Sequence, residues 1–180
     1  MKPSDHPEFF RFPAPEGRSR ESTIVLDGSG RFWHDGRRVE HPGLAAGFHA
    51  WIGRHPDDGR YILTNGYDWT YFTVEDAPYF VRTLRIEPRQ VVLLLSDATE
   101  EAWVPESTRV GPDGGLYAVV KQGATGGPFE AKFTPHAQAL LEPVLEEAPR
   151  AGPEATGEGG ARVRIDGRLH AIGAKKASFG

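Results

Sequence analysis

The sequence of 180 residues contains no cysteine. This absence excludes disulfide bonds, thiolate zinc sites, iron–sulfur clusters and cysteine nucleophiles together. Basic residues are not in excess either, because 21 Lys and Arg are outweighed by 25 Asp and Glu, and the formal net charge is −4. A protein that binds nucleic acid over a large surface needs a basic face. We therefore predict that nucleic acid is not a partner.

Long hydrophobic runs are also lacking. No segment approaches the ~18 consecutive apolar residues of a membrane-spanning helix. The N-terminal segment MKPSDHPEFFRFPAPEGRSR has no apolar block of the ~7–15 residues that a secretory signal requires. We therefore expect a cytoplasmic protein that has no membrane partner.

What the sequence does have is a recurring set of tight-turn dipeptides. They are Asp27-Gly28, Asp35-Gly36, Asp58-Gly59, Asn65-Gly66, Asp113-Gly114 and Asp166-Gly167. Each is typical of a turn with positive φ, and short β-prone segments flank several of them. The pattern predicts an α+β fold that is mainly antiparallel β: a hairpin-rich sheet or a partly open barrel, with two short helices.

Two segments carry the clearest strand patterns. The run Val91–Leu95 is apolar without alternation, so we expect a central strand that is covered on both faces. Phe129–Phe133 alternates apolar and charged residues, which predicts a strand with one buried face.

Two helices are predicted from their first residues and their apolar stripes. Pro42 suits the first helical position, and the apolar residues after it predict a helix over 42–52. Thr134, as an N-cap followed by proline, predicts a second helix over 135–147. Pro143 lacks a backbone N–H and should kink or split that helix.

These patterns predict five regions along the chain. They are an irregular N-terminal tail (1–21), a small α+β subdomain (22–78), a β-rich subdomain ending in the second helix (79–148), a linker (149–160) and a hairpin with a tail (161–180). The linker is predicted because PRAGPEATGEGG contains no large apolar side chain.

Motifs for metal binding and catalysis are incomplete. Four histidines, His34, His41, His49 and His55, lie close together in the sequence, but no pair has the spacing of H-E-x-x-H or H-x-H. We expect them to be surface and turn residues. Gly28-Ser29-Gly30 is too short for a nucleophile elbow. Gly123–Gly127 resembles a phosphate loop only in composition, because G-K-[ST] is missing and a strand follows. We predict no metal, no cofactor and no catalytic residue.

The most interesting pattern is aromatic. Tyr67, Trp69 and Tyr71 alternate, so they share one face if the segment is a strand. Such a row either lines a groove for a flat or amphipathic ligand or fills a core. The candidate ligand-binding residues are Trp33, His34, Tyr67, Trp69, Tyr71 and Asp76.

Four segments occur in an order that resembles a known family. They are Arg31–Gly36 (RFWHDG), Val39–Leu44 (VEHPGL), Asp58–Tyr61 (DGRY) and Val74–Tyr79 (VEDAPY). Over residues 22–147 the chain resembles the bacterial family DUF1285, a domain of unknown function. The resemblance implies a compact α+β unit, with a small N-terminal part that carries the helix and a β-rich C-terminal part similar to a partly closed barrel. The family has no established activity, cofactor or catalytic residues, so the resemblance implies none here.

Three functions are compatible with these features. The first, favoured by the aromatic row and the apolar segment Phe9–Phe12, is a non-enzymatic binding module for a small ligand or a protein partner, acting as a monomer or weak homo-oligomer. The second is an enzyme of hydrolase or lyase type, with or without the assistance of a metal ion, in which His34 or His41 works beside Asp35 or Asp76. The third is an assembly protein whose tails recruit other chains.

Overall fold

The computed structural model describes residues 1–147 and 160–173. They form two compact units. The first unit comprises Met1–Tyr79 and Lys121–Phe129, and the second comprises Phe80–Val120 and the described residues that follow Phe129. The expected linker over 149–160 lies outside the described residues except for Gly160, and so does the tail after Gly173. The subdomain boundaries 22–78 and 79–148 stay predictions.

The chain as far as Val74 forms two small sheets and one α-helix. The strands are β1 (Val25–Leu26), β2 (Phe32–His34), β3 (Arg37–Arg38), β4 (Ile52–Arg54), β5 (Tyr61–Thr64), β6 (Trp69–Tyr71) and β7 (Thr73–Val74), and helix α1 is Pro42–Ala50. The strand orders are β3-β2-β1-β7 and β4-β5-β6. β1 pairs with β7 in parallel, and the other pairings in these two sheets are antiparallel.

The later strands form a larger sheet and a small one. They are β8 (Tyr79–Ile86), β9 (Val91–Leu95), β10 (Glu100–Ala102), β11 (Arg109–Val110), β12 (Leu116–Val120), β13 (Phe129–Phe133), β14 (Leu145–Glu147), β15 (Ala161–Ile165) and β16 (Arg168–Ala171), and helix α2 is Pro135–Ala139. The strand orders are β10-β9-β8-β13-β12-β11 and β14-β15-β16. All the sheets of the described residues are open, so the hairpin-rich form of the predicted α+β fold is the one observed.

The hairpin turns confirm two of the predicted dipeptides in detail. Asp35 and Gly36 join β2 to β3 with φ of 50° and 71°, and Asp166 and Gly167 join β15 to β16 with the same pair of values. Positive φ at both central residues gives the turn a twist that matches the twist of the flanking strands. The C-terminal hairpin is therefore formed as the sequence predicts.

The two strands with the clearest patterns are placed as predicted. β9 lies between β8 and β10, and Val91, Leu93 and Leu95 are at most 1% exposed. In β13, Phe129, Ala131 and Phe133 are buried while the two charged residues between them are half-buried. The apolar run thus lies inside the larger sheet and not at its edge.

Both helices are shorter than predicted. α1 ends at Ala50, because Ile52 already pairs with Leu63 in the next sheet. The prediction of a helix over 135–147 is wrong, since α2 ends at Ala139. A 3₁₀ turn follows over Glu142–Val144, and β14 begins at Leu145. The proline at position 143 removes a helical hydrogen bond, so the split that it predicts is present.

The N-terminal segment also differs from its prediction. It is not irregular throughout, because 3₁₀ helices cover Pro3–Asp5 and Pro7–Arg11. Proline at the first or second position of each favours the turn. The Ser4 N–H donates a hydrogen bond to the Gly66 carbonyl at 3.1 Å, which ties the segment to the turn before β6.

Among the described helices, none is both long and apolar enough to cross a membrane.

Candidate functional site

The predicted aromatic row is only partly formed. Trp69 and Tyr71 lie on one face of β6, with their ring centroids 5.1 Å apart in an edge-to-face arrangement. Tyr67 lies before the strand and is 67% exposed, while its N–H donates to Asn65 Oδ1 in the turn. The row therefore does not form a continuous three-residue platform.

Trp69 is a core residue of the first unit. It is 6% exposed and forms a cluster with Phe9 and Ile62, against which Phe10 also packs. The Arg20 guanidinium lies 4.5 Å from the centre of the Trp69 ring, a cation–π distance. Of the two roles considered for this tryptophan, filling the core is the one observed.

His55 is a functional candidate that the sequence predicts only as a surface or turn histidine. It is 7% exposed, and its ring lies 5.0 Å from that of Trp69. Its Nδ1 accepts a hydrogen bond from the Asp57 N–H at 3.3 Å, so Nε2 carries the proton and donates to the Phe10 carbonyl at 3.1 Å. The ring thus links β4 to the N-terminal segment. The expectation of surface and turn histidines is wrong for His55 and also for His49, which is 3% exposed against Phe32.

Tyr71 belongs to a polar network on the surface of the same sheet. Its hydroxyl donates to Asp58 Oδ2 at 2.8 Å, and the Arg60 guanidinium lies 3.7 Å from its ring centre. Burial and the hydrogen bond to Asp58 raise the pKa of Tyr71 to about 12. The backbone N–H of Arg60 lowers the pKa of Asp58. Tyr71 is therefore a neutral hydrogen-bond donor at physiological pH.

A cleft lies beside β4 in the first unit, with a volume of ≈ 470 Å³. Its apolar lining comes from Phe10, Ile52 and Ile62. The N-terminal segment contributes Ser4 and Asp5 to the lining, and the loop before β13 contributes Thr125 and Gly126. Arg54 at the end of β4 and His55 directly after it also line the cleft. We call this cavity the Arg54 cleft. None of the six predicted ligand-binding residues lines it.

Arg54 lines the cleft, and its side chain lies beside two aromatic rings. Its guanidinium lies 5.2 Å from the centre of the Tyr61 ring and 5.1 Å from that of Phe129. Nη2 donates to the Tyr61 hydroxyl at 3.4 Å, and Nε is buried without a hydrogen-bond partner. No carboxylate within residues 1–147 and 160–173 forms an ion pair with Arg54. The guanidinium therefore lies near two aromatic rings that do not themselves line the cleft.

Gly126 brings its loop against the backbone of Arg54. A Cβ at this position would lie 3.2 Å from the Arg54 N and 3.3 Å from the Arg54 Cβ, and the φ of Gly126 is 80°. Both the close approach and the positive φ favour glycine. This residue allows the loop to form a wall of the cleft.

The remaining predicted residues lie elsewhere in the first unit. His34 lines a second, more open groove of ≈ 530 Å³, together with Asp35 and His41. Trp33, on the same strand as His34, is half-buried and donates from Nε1 to Asp27 Oδ2 at 2.9 Å. Asp76 is exposed after β7. Their role in binding a ligand stays a prediction.

The second groove brings together part of the predicted acid–base set. His34 Nε2 lies 3.7 Å from Asp35 Oδ2, while His41 Nδ1 accepts the Leu44 N–H at 3.2 Å as the N-cap of α1. Asp76 is not among the residues that line this groove. In the described ranges, no group of three or more His, Asp or Glu side chains is arranged to hold a metal ion.

Comparison with known proteins identifies the fold. A DUF1285 family protein from Silicibacter pomeroyi DSS-3 superposes with a TM-score of 0.62 at 13% identity, over 91% of each chain. The chain has a DUF1285-like fold. A second DUF1285 family protein, from Shewanella baltica OS155, superposes with a TM-score of 0.50 at 17% identity, over 65% of this chain and 87% of that one. No family model and no curated protein matches the sequence. The resemblance expected from the sequence is thus confirmed for the DUF1285-like fold, and fold alone does not define an activity.

Proposed function

We propose that this protein is a non-enzymatic binding module that holds a small molecule in the Arg54 cleft. The observation that carries the proposal is the cleft itself. Its volume of ≈ 470 Å³ is in the ~300–1,000 Å³ range of small-molecule sites. It also combines an apolar wall with a few convergent polar groups, which is the usual composition of such sites.

The walls of the cleft support a preformed site. Ile52 and Ile62 belong to paired strands, and both are buried. His55 fixes the N-terminal wall through its bond to the Phe10 carbonyl. A pocket held by strand pairing and buried hydrogen bonds loses little conformational freedom when a ligand binds, which favours affinity.

A small molecule is favoured over a protein partner because the apolar N-terminal segment is already in use. Phe9 is 9% exposed and belongs to the Trp69 cluster, and Phe10 packs against that cluster. Phe12 is 61% exposed, but a single exposed aromatic side chain is ordinary for a protein surface. The segment therefore offers little free apolar surface to another chain.

A hydrolase or lyase role has one supporting observation, the His34–Asp35 pair in the second groove. The side chains of His34 and Asp35 are 55% and 71% exposed, so water screens their interaction. Retention of a measured turnover by His34→Ala would contradict this role.

The binding proposal is tested by placing a large side chain at the mouth of the cleft. Thr125 is an exposed residue that lines the cleft, and Gln122 is an exposed residue of the same loop that does not. We expect fragments detected by ligand-observed NMR with the unmodified protein to lose binding with Thr125→Trp and to keep it with Gln122→Trp. The absence of any bound fragment, or equal binding to both variants, would contradict the proposal.

A further inference from the structure

We propose that the ligand of the Arg54 cleft is an uncharged planar aromatic molecule whose ring lies on the bare backbone of β4 at Gly53, against Phe10 and Ile62. This inference rests on the proposed binding function and adds the chemical class of the ligand. All three residues line the cleft, and Gly53 is the middle residue of its strand.

The pairing of β4 with β5 places Gly53 on the face of the sheet where the N-terminal segment packs. Gly53 is the partner of Ile62, and partners in an antiparallel pair project from the same face. Ile62 is buried on that face in the cluster with Phe9 and Trp69, and Phe10 packs against the same cluster. The floor of the cleft at Gly53 is therefore backbone alone, on the face that carries the apolar wall.

The fold itself does not require glycine at position 53. Glycine in the middle of a strand weakens the strand, because it frees the unfolded chain and gives no side chain to pack. Gly53 is not one of the glycines with positive φ, and a Cβ there would lie 3.7 Å from Ile62 Cγ1, an ordinary contact distance. Where neither conformation nor packing demands a strand glycine, its place in a cleft indicates that a ligand approaches the backbone closely.

The side chains near Gly53 favour a ring as the occupant. Phe10 and His55 both line the cleft, with ring centroids 6.0 Å apart and planes inclined by 75°. Both nitrogens of His55 are used, by the Asp57 N–H and the Phe10 carbonyl, so the ring offers a ligand aromatic surface and not a hydrogen bond. A planar ring suits such edge-to-face contacts. Because it has no axial hydrogen atoms, it can also lie closer to the backbone than a saturated ring.

The charges at the cleft favour an uncharged ligand. Among the described residues that line it, Asp5 and Arg54 carry opposite charges at neutral pH. The lining thus has no net charge to offset the hydration that an ion loses in a partly apolar cleft. The hydroxyl groups of Ser4 and Thr125, which also line it, suit a neutral polar substituent on the ring.

Pairs of probes test the aromatic class. Phenol, benzamide and 2-naphthol would be titrated beside cyclohexanol, cyclohexanecarboxamide and decahydro-2-naphthol, with saturation-transfer NMR as the readout. Each pair keeps the polar group and changes the ring. Since aromatic contacts add to the burial of apolar area, we expect the aromatic member to bind at least ~3-fold more tightly. Benzoate and benzylamine, which are charged at neutral pH, should bind more weakly than benzamide.

Substitutions of Gly53 test where the ring lies. Gly53→Val places a branched side chain over the floor, and we expect it to weaken binding of the aromatic probes by at least ~10-fold. Gly53→Ala fills the floor in part, should give an intermediate affinity, and serves as the second variant if Gly53→Val does not fold. Gly123→Val is the matched control, because a Cβ at Gly123 would meet open space and this glycine does not line the cleft. It should leave the affinity within about 2-fold.

Stability gives a readout that a structural role of this glycine would move in the opposite direction. Gly53→Ala restricts the unfolded chain and adds a contact with Ile62. Its urea midpoint should therefore equal or exceed that of the unmodified protein. A midpoint clearly below it would show that the fold requires glycine here and would overturn the inference.

The binding outcomes separate the ligand class from the binding function. A preference for the aromatic probes that Gly53→Val abolishes supports the inference. Equal binding within the pairs, tighter binding of benzoate or benzylamine, or aromatic binding that Gly53→Val leaves unchanged overturns it. The binding function still stands if Thr125→Trp abolishes that binding. If none of the probes and no fragment binds, the binding function fails as well.

Discussion

Asp27 and Arg54 are charged residues that are partly withdrawn from water, and they differ in the number of hydrogen bonds that they form. The Asp27 side chain is 13% exposed and accepts hydrogen bonds from the backbone N–H groups of Ser29 and Arg31, from Arg31 Nε and from Trp33 Nε1. Arg54 has a single long hydrogen bond. The Asp27 charge is thus satisfied within the protein and stabilises the fold.

The role of Asp27 predicts a pH-dependent stability. Burial raises its pKa, but the hydrogen bonds from Trp33, Arg31 and Ser29 outweigh burial and lower it from 3.8 to about 2. The ionised carboxylate therefore contributes about 2 kcal/mol to the free energy of unfolding. Because the folded-state pKa is the lower one, this contribution is present above pH ~4 and is lost as the pH falls towards ~2.

We expect Asp27→Asn to lower the free energy of unfolding by about 2 kcal/mol at pH 7, and by progressively less between pH 4 and pH 2. Urea denaturation at several pH values measures the difference. Asp166→Asn is the matched control at an exposed turn, where asparagine tolerates the φ of 50°. It should change stability by less than ~0.5 kcal/mol. A loss for Asp27→Asn that does not vary with pH would contradict the role of the charge.

At the scale of secondary-structure elements, the sequence predicts the features that depend only on residues close together in the chain. The turns at Asp35-Gly36 and Asp166-Gly167, the buried run at 91–95 and the break at Pro143 were predicted correctly, because φ preferences, strand burial and the missing proline N–H act within a few residues. The prediction was wrong for Asp27-Gly28, where the positive φ is at Gly30 instead. The N-terminal 3₁₀ turns were missed, because they depend on contacts distant in sequence. Phe9 is buried against Ile62 and Trp69, which lie more than 50 positions away.

The docking of the N-terminal segment predicts an unequal effect of two phenylalanines. Phe9→Ala should lower the free energy of unfolding by about 3 kcal/mol, since it removes a buried ring from the Trp69 cluster. Phe12→Ala, at a residue that is 61% exposed, should change it by less than ~0.5 kcal/mol. Chemical denaturation followed by tryptophan fluorescence compares them. Equal, small effects would show that the segment does not dock in solution.

At the scale of the whole molecule, the candidate site could not be predicted from the sequence because it is assembled from distant segments. Ser4 and Phe10, β4 with its partner β5, and the loop at Thr125 and Gly126 meet only in the folded first unit. The glycine-rich stretch at 123–127 lacks a phosphate-loop motif. Its contribution is a close backbone approach to Arg54, which no motif records.

The aromatic row shows that the alternation of residues predicts the face of a strand but not what covers that face. Alternation correctly placed Trp69 and Tyr71 on one face, but it could not distinguish a groove from a core. That distinction depends on the N-terminal segment, which packs against Trp69. The row therefore predicts binding residues on β6, whereas the cleft lies beside β4.

The most direct test of the central claim is the NMR response of the residues that line the cleft to a bound small molecule. In titrations of the ¹⁵N-labelled protein with a fragment that ligand-observed NMR detects, we expect the amide resonances of Gly53 and Gly126, which line the cleft, to shift in a saturable manner. The Gly167 amide, in the turn between β15 and β16, should not respond. Saturable shifts that leave Gly53 and Gly126 unchanged, or no saturable shift with any fragment, would contradict the account.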